Sequence, residues 1–188
     1  MGLQHKVYEI QNIQVTEGHI VNADVTFDIT KAGYCLPTEA EWEFAARGGN
    51  PSSAEWNYFF AGHESEYGGG AIGASTDTGL DFVGWYQNNS LGKTHEVGIK
   101  EPNSIGLYDM SGNVIEMCQD GGVEGDYSLE TGNFINPVIP NSGNGHAGRG
   151  GYWGGMASRC SAFRRNGLLR DNDHTNARGF RIARSKIE

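Results

Sequence analysis

The side chains of this sequence that could take part in redox chemistry or bind a metal include three cysteines, Cys35, Cys118 and Cys160, and six histidines. No two cysteines have the CxxC spacing of a zinc or redox site, and three cysteines can form at most one disulfide. We expect each thiol to be a small buried apolar group. The histidines are isolated, without an HxH or HxxxH pair, so no single helix or strand carries a metal-binding face.

The composition predicts a turn-rich domain in which loops outnumber helices. The chain has 188 residues, of which 29 are glycine, 37% are hydrophobic and 20% are charged, as in a globular domain. We therefore expect one domain over residues 1–188. No apolar run approaches the roughly 18 residues of a membrane span, and residues 1–17 lack the basic and apolar regions of a secretory signal. The sequence leaves the compartment open.

The elements that must position any site begin with a β-hairpin. Residues 6–29 alternate apolar and polar side chains on either side of a turn at Glu17-Gly18. The glycine-rich run at 61–80 reads as a loop, and because no strand and helix flank it, it does not predict a phosphate-binding site. Short apolar pieces after residue 81 and a final GFRIA segment predict short strands.

One helix is predicted after the hairpin, ending near residue 47. Thr38 and Glu41 have the capping-box spacing, in which each side chain accepts a hydrogen bond from the other residue's backbone N–H, and a Gly-Gly pair ends the helix. The helix has one apolar face to bury. We expect Trp42 on that face, with Trp153 or Phe180 beside it.

The net charge of −9 is unevenly distributed. Residues 149–188 contain nine Lys or Arg and three Asp or Glu, whereas residues 1–148 contain five and twenty. The arginines alternate with apolar residues and have acidic partners within the chain, unlike a phosphate-binding face. The sequence therefore predicts no nucleic-acid binding.

Four segments, taken together and in order, resemble the formylglycine-generating-enzyme, or sulfatase-modifying-factor, family. They are YCLPTEAEWEFAARGG (34–49), THEVGIKEPNSIGLYDMSGNVIEMCQD (94–120), RGGYW (149–153) and RGFRIAR (178–184). The resemblance implies the family's variant of the C-type lectin fold. That fold is a loop-rich α+β structure with a small twisted antiparallel sheet and few helices.

The resemblance also bears on catalysis. Oxidising members of the family use two cysteines five residues apart, and alignment on Gly150-Gly151 puts Gly155 and Cys160 at those positions. A glycine offers no ligand to copper(I), which favours soft thiolates. We therefore expect no catalytic residue and no required cofactor. The alternative is a formylglycine-generating or related thiol-oxidising enzyme in which Cys160 is the remaining active-site thiol.

A calcium site is a further implication of the resemblance. The SGNVIEM segment matches a family segment that binds calcium through an Asn, a backbone carbonyl and a Glu, here Asn113, Val114 and Glu116. Oxygen ligands suit calcium. For the acidic residues of the matched segments we favour ion pairs in the core. The expected pairs join Glu39, Glu41 and Glu116 to Arg159, Arg178 and Arg181.

Residues 149–184 resemble a narrower group within the family, the variable proteins of diversity-generating retroelements, in which chosen Asn codons are altered at their adenines. Changes at the first two bases of an Asn codon reach Tyr, Gly, Phe, Leu, Arg, His and Ala but never Trp, so Trp153 is assigned to the framework. The candidate ligand-binding residues are Tyr152, Gly154, Gly155, Phe163, Arg164, Gly167, Leu168, Leu169, His174 and Ala177.

We expect these residues to share one solvent-facing surface, since random replacement of core side chains would unfold the domain. Trp153, Arg159, Cys160 and Phe180 are expected to point inward. Aromatic and aliphatic groups among adaptable polar residues are typical of binding surfaces. The alternative is that Phe163 and the leucines are ordinary core residues. The sequence thus predicts a non-catalytic ligand-binding protein whose variable residues form a diversified binding surface. The expected ligand is a protein or another macromolecule.

Overall fold

The computed structural model describes residues 8–17, 19–28, 33–67, 73–121, 137–139, 145–170 and 175–184. The chain forms two compact units, one of residues 1–36 with 182–188 and one of residues 37–181. The expectation of one domain stays a prediction. No helix within the described ranges is long and apolar enough to cross a membrane.

The regular elements are short. In chain order they are β1 (Tyr8–Thr16), β2 (His19–Phe27), β3 (Tyr34–Cys35), α1 (Glu39–Ala46), α2 (Thr78–Val83), β4 (Ile115–Gly121), β5 (His146–Arg149), β6 (Arg165–Leu169), β7 (Arg178–Phe180) and β8 (Ala183–Arg184), with single 3-10 turns at Ala54–Asn57 and Ala157–Arg159. The loop-rich α+β character expected from the sequence is confirmed.

The first unit contains the predicted hairpin. Strands β1 and β2 pair antiparallel, with Ile10 opposite Val25 and Val15 opposite Ile20. Alternation of apolar and polar residues around a tight turn is what makes this pairing possible. Strand β3 pairs antiparallel with β8 in the same unit.

The predicted helix is confirmed as α1. Its capping box is complete, because the Thr38 N–H donates to Glu41 Oε2 at 2.8 Å and the Glu41 N–H donates to Thr38 Oγ1 at 3.1 Å. Trp42 is only 1% exposed, and its Nε1 donates to Glu116 Oε2 at 2.6 Å. Phe180, one of the two residues expected beside Trp42, is instead exposed.

A four-stranded sheet in the second unit has the strand order β6-β5-β4-β7. Strand β5 is antiparallel to both β4 and β6, whereas β7 runs parallel to β4. The sheet is therefore mixed rather than purely antiparallel. Helix α1 packs near β4 and β5 and buries Trp42 and Ala46 together with Met110 and Cys118.

Four of the regular elements were not predicted, namely the short strands β3 and β5, helix α2 and strand β6. Residues 78–83 form the short helix α2, whose first backbone N–H groups are capped by Asp77 through a 2.8 Å bond from Gly79 N. The polar stretch before residue 170 contributes strand β6. Neither stretch carries a strong periodic pattern, because α2 has fewer than two turns and β6 is interrupted by a glycine.

Buried ion pairs tie the sheet to α1. Glu39 is fully buried and accepts hydrogen bonds from Arg149 Nε at 2.7 Å and Arg165 Nε at 2.8 Å. The expected pair of Glu116 with Arg181 is confirmed, at 2.5 and 2.6 Å. The expected partners of Glu39 were wrong, because the strand register brings Arg149 and Arg165, rather than Arg159, Arg178 or Arg181, over the first turn of α1.

Candidate functional site

The candidate segment connects β5 to β7 and includes β6. Its candidate residues differ widely in exposure. Phe163, Arg164 and Gly167 are exposed, Tyr152, Gly154 and Ala177 are half-buried, and Gly155 and Leu169 are buried. The side chain of Leu168 and the whole of His174 lie outside the described residues.

The exposed part begins at a turn that follows the second 3-10 helix. Phe163 is 44% exposed, and its ring meets the buried Phe59 ring edge-on, with centroids 5.1 Å apart. Gly167 has φ = +81°, and a Cβ added there would find no atom within 4 Å. The space at Gly167 is thus open, although its left-handed backbone favours glycine.

Tyr152 controls the space at the two glycines that follow it. A Cβ at Gly154 would lie 2.9 Å from Tyr152 Cε2, and one at Gly155 would lie 3.3 Å from the same ring. The Tyr152 ring also meets Trp153 edge-on at 5.9 Å. A larger residue at either glycine therefore requires the side chain at position 152 to move or to shrink.

Two buried residues, Gly155 and Leu169, correct the expectation that all candidate residues face solvent, and Leu169 is the larger of them. It is 1% exposed, and it packs over Gly148, where an added Cβ would lie 3.1 Å from Leu169 Cγ. Strand β6 pairs with β5 so that Leu169 stands opposite His146, and this register turns its side chain into the core.

The inward set is also only partly right. Cys160 is buried, as expected, and Trp153 is half-buried. Arg159 and Phe180 are exposed, and Phe180 reaches 68%. Phe180 is the last residue of β7, the strand at one edge of the sheet.

The thiol of Cys160 lies in an apolar environment. It packs with Phe59, Phe60 and Tyr86, and burial raises its pKa to about 12. Cys118 lies in the other core cluster, beneath α1, and burial raises its pKa as well. Both carry free thiols, so they do not pair with each other.

A family model described as "Sulfatase-modifying factor enzyme 1-like domain" matches residues 6–186. The chain belongs to this family. The match extends over both units described above, and it agrees with the four sequence segments in which the resemblance was found.

The proteins that are similar to this chain include a variable protein and an enzyme of the family. The solved structure titled "Treponema denticola variable protein 1" has a TM-score of 0.68 and 36% identity, covering 84% of this chain and 50% of that one. The formylglycine-generating enzyme of Thermomonospora curvata is 32% identical over 152 residues, 78% of this chain and 47% of that protein. A chaperone protein LppX of Paenibacillus barcinonensis is 35% identical over 106 residues, 50% of this chain and 34% of that protein. The chain thus spans half or less of the length of these relatives.

Two of the three positions that the resemblance implies for calcium, Asn113 and Glu116, have side chains that are bound to protein groups. Asn113 Oδ1 accepts the His95 N–H at 3.0 Å, and Asn113 Nδ2 donates to His95 O at 3.1 Å. Glu116 is bound by the Arg181 guanidinium and the Trp42 indole. A guanidinium thus lies where a cation would bind, so the arrangement does not fit a calcium ion. Within the described part of the chain, no three His, Cys, Asp or Glu side chains cluster as a metal site.

Sequence reasoning did not predict that Arg47 and the Trp56 ring lie close to Phe163. Arg47, at the end of α1, lies with its Cζ 5.5 Å from the Phe163 ring and 5.3 Å from the Trp56 ring. The segment EWNYFF at 55–60 was the available signal, since aromatic residues are enriched at binding surfaces. Their proximity to Phe163 depends on tertiary packing that no local pattern reveals.

Proposed function

We propose that this chain is a ligand-binding domain without catalytic activity, which presents a diversified surface to a protein or another macromolecule. The observation that carries the proposal is the similarity to the Treponema denticola variable protein over 84% of this chain. That similarity is to one kind of member within a family that also includes enzymes.

The exposure of the candidate segment supports the proposal. At Phe163, Arg164 and Gly167 a replacement side chain projects into solvent and removes few core contacts, which keeps its cost below that of a core substitution. At Gly167 the left-handed backbone adds roughly 1–2 kcal/mol for a residue other than glycine. We narrow the diversified surface to these three positions together with Tyr152 and Ala177. Leu168, His174 and the half-buried Gly154 stay candidates, and the buried Gly155 and Leu169 are assigned to the framework.

Charge pairing supports a partner other than nucleic acid. Three arginines of the basic C-terminal part are committed to internal carboxylates, Arg149 and Arg165 to Glu39 and Arg181 to Glu116. A phosphate-binding face needs arginines that are exposed and free to approach the backbone of the nucleic acid.

The rival function is thiol oxidation by Cys160, and similarity to formylglycine-generating enzymes favours it. A reactive thiol needs access and a lowered pKa. Cys160 has neither, because it is fully buried and its pKa is raised to about 12. With Gly155 at the other position, no second thiol completes the pair.

Oxygen consumption with free cysteine as substrate distinguishes the two functions. We expect the protein to consume no oxygen above a buffer control, with or without added copper. Turnover that disappears in Cys160→Ser, in a variant that remains folded, would establish the enzyme instead.

The proposed function is tested directly in the DNA around the gene. We expect a reverse-transcriptase gene nearby and a near-copy of the segment for residues 149–184 with Asn codons at the diversified positions. In the gene itself, codons 152, 163, 164, 167 and 177 should end in C or T, because changes at adenine leave the third base of an Asn codon unaltered. Codons ending in A or G at several of these positions would refute the proposal.

A further inference from the structure

A cluster of side chains outside the candidate segment adjoins Phe163. We define the aromatic platform as Phe44, Arg47, Trp56 and Ile105. All four belong to α1 or to loops of the same unit, and none lies in residues 149–184. The platform therefore stays constant when the segment varies.

The contacts within the platform are specific. The Phe44 and Trp56 rings meet edge-on, with centroids 5.7 Å apart. Arg47 lies over Trp56 and beside Phe163, and its Nη1 donates to Trp56 O at 2.9 Å. Phe44 and Ile105 converge on Gly49, where an added Cβ would lie 3.6 Å from each of them. The group is thus one continuous surface that ends at Phe163.

The platform is apolar and electrically balanced. The one cation in it, Arg47, is paired with Glu43 through Nη2 and Nε, each 2.9 Å from Oε1. Aromatic faces and an aliphatic side chain make up the rest. A surface of this kind gains little from a charged ligand and most from burying an apolar one.

The exposure of the platform side chains indicates the size of the ligand that binds there. Phe44 is 47% exposed and Ile105 is 51% exposed, close to the 44% of Phe163. Side chains that are half open to solvent do not enclose a small molecule, which is normally buried over most of its surface. They fit the centre of a protein–protein contact, where exposed aromatic residues supply most of the binding energy.

Resting on the proposed function, we propose that the ligand surface has two parts, the diversified residues and the constant aromatic platform. The occupant of the platform is an apolar side chain on the surface of a folded protein. The diversified residues at 163, 164 and 167 select which protein is bound, while Phe44, Trp56 and Ile105 bury the apolar anchor common to all of them.

The experiment selects new binders from the chain itself. A display library randomised at positions 163, 164, 167 and 177 is selected against lysozyme as the probe protein. Phe44→Ser, Trp56→Ala and Tyr67→Ser are then introduced into several independent binders. Tyr67 is the matched control, since it is a 54% exposed aromatic residue whose backbone N–H donates to Ser65 Oγ, and Ser65 in turn donates to Asp77, the N-cap of α2.

We expect Phe44→Ser and Trp56→Ala to weaken lysozyme binding about tenfold or more in most binders, and Tyr67→Ser to change it less than about threefold. Thermal unfolding of each variant distinguishes loss of binding from loss of folding. Because Phe44 is exposed, Phe44→Ser is the variant least expected to impair folding. Binders whose affinity is the same in all variants would overturn the platform but not the proposed function. A library that yields folded protein and no binders would overturn both.

Discussion

Leu169→Ala separates core from surface within the segment proposed to vary. Leu169 is 1% exposed and packs over Gly148, so truncation removes three carbons from a filled site. Leu→Ala changes at such sites cost roughly 3 kcal/mol, as lost transfer free energy plus the cavity that remains. For a chain of this size that corresponds to a fall in Tm of about 6–12 °C.

Differential scanning calorimetry at neutral pH measures this change. Arg164→Ala is the control, because Arg164 is exposed and its substitution should cost less than about 0.5 kcal/mol. If Leu169→Ala lowers Tm no more than Arg164→Ala does, then Leu169 does not belong to the core and the division of the segment into framework and surface is wrong.

Four further outcomes are expected from groups in or near the core. Cys118 and Cys160 should react with a thiol reagent at pH 8 only after unfolding in guanidinium, and modification of either in the native state would contradict their burial. Because the pKa of Cys160 is higher in the folded than in the unfolded chain, the folded state keeps the proton longer, so stability should fall as pH rises from about 9 toward 12, measured by urea midpoints. Arg181→Met should lower the free energy of unfolding by roughly 2–3 kcal/mol, which is less than for a fully buried ion pair because Arg181 is 23% exposed. Calcium should not alter the Tm of the unsubstituted protein. A Tm that rises on adding calcium would show that the ion displaces Arg181 from Glu116.

The parts of the fold that were predictable from the sequence are those fixed by neighbours in the chain. The hairpin follows from alternation around a turn, and α1 follows from a cap, an apolar face and a Gly-Gly stop within a dozen residues. Each of these signals lies within a short stretch of neighbouring residues, so it can be recognised in the sequence without knowledge of the fold.

The parts that were not predictable depend on partners far away in sequence. Glu39 is neutralised by Arg149 and Arg165, 110 and 126 residues later, and only the register of β5 and β6 decides that pairing. The same register buries Leu169 beside exposed neighbours. The platform next to Phe163 was missed for the same reason, since α1, the 55–60 segment and residue 163 meet only in the folded unit.

The position of the candidate segment between β5 and β7 has a consequence for how much it can change. Both strands pair with β4, and β6 pairs with β5, so the sheet holds the two ends of the segment 150–177 and a strand within it. The entropy lost in closing such a loop depends on its length, and even a doubling adds only about 0.6 kcal/mol. Substitution leaves the length unaltered. Exposed replacements that exchange no glycine or proline therefore leave the entropic cost of bringing β7 to β4 unchanged, and each such sequence connects the same strands.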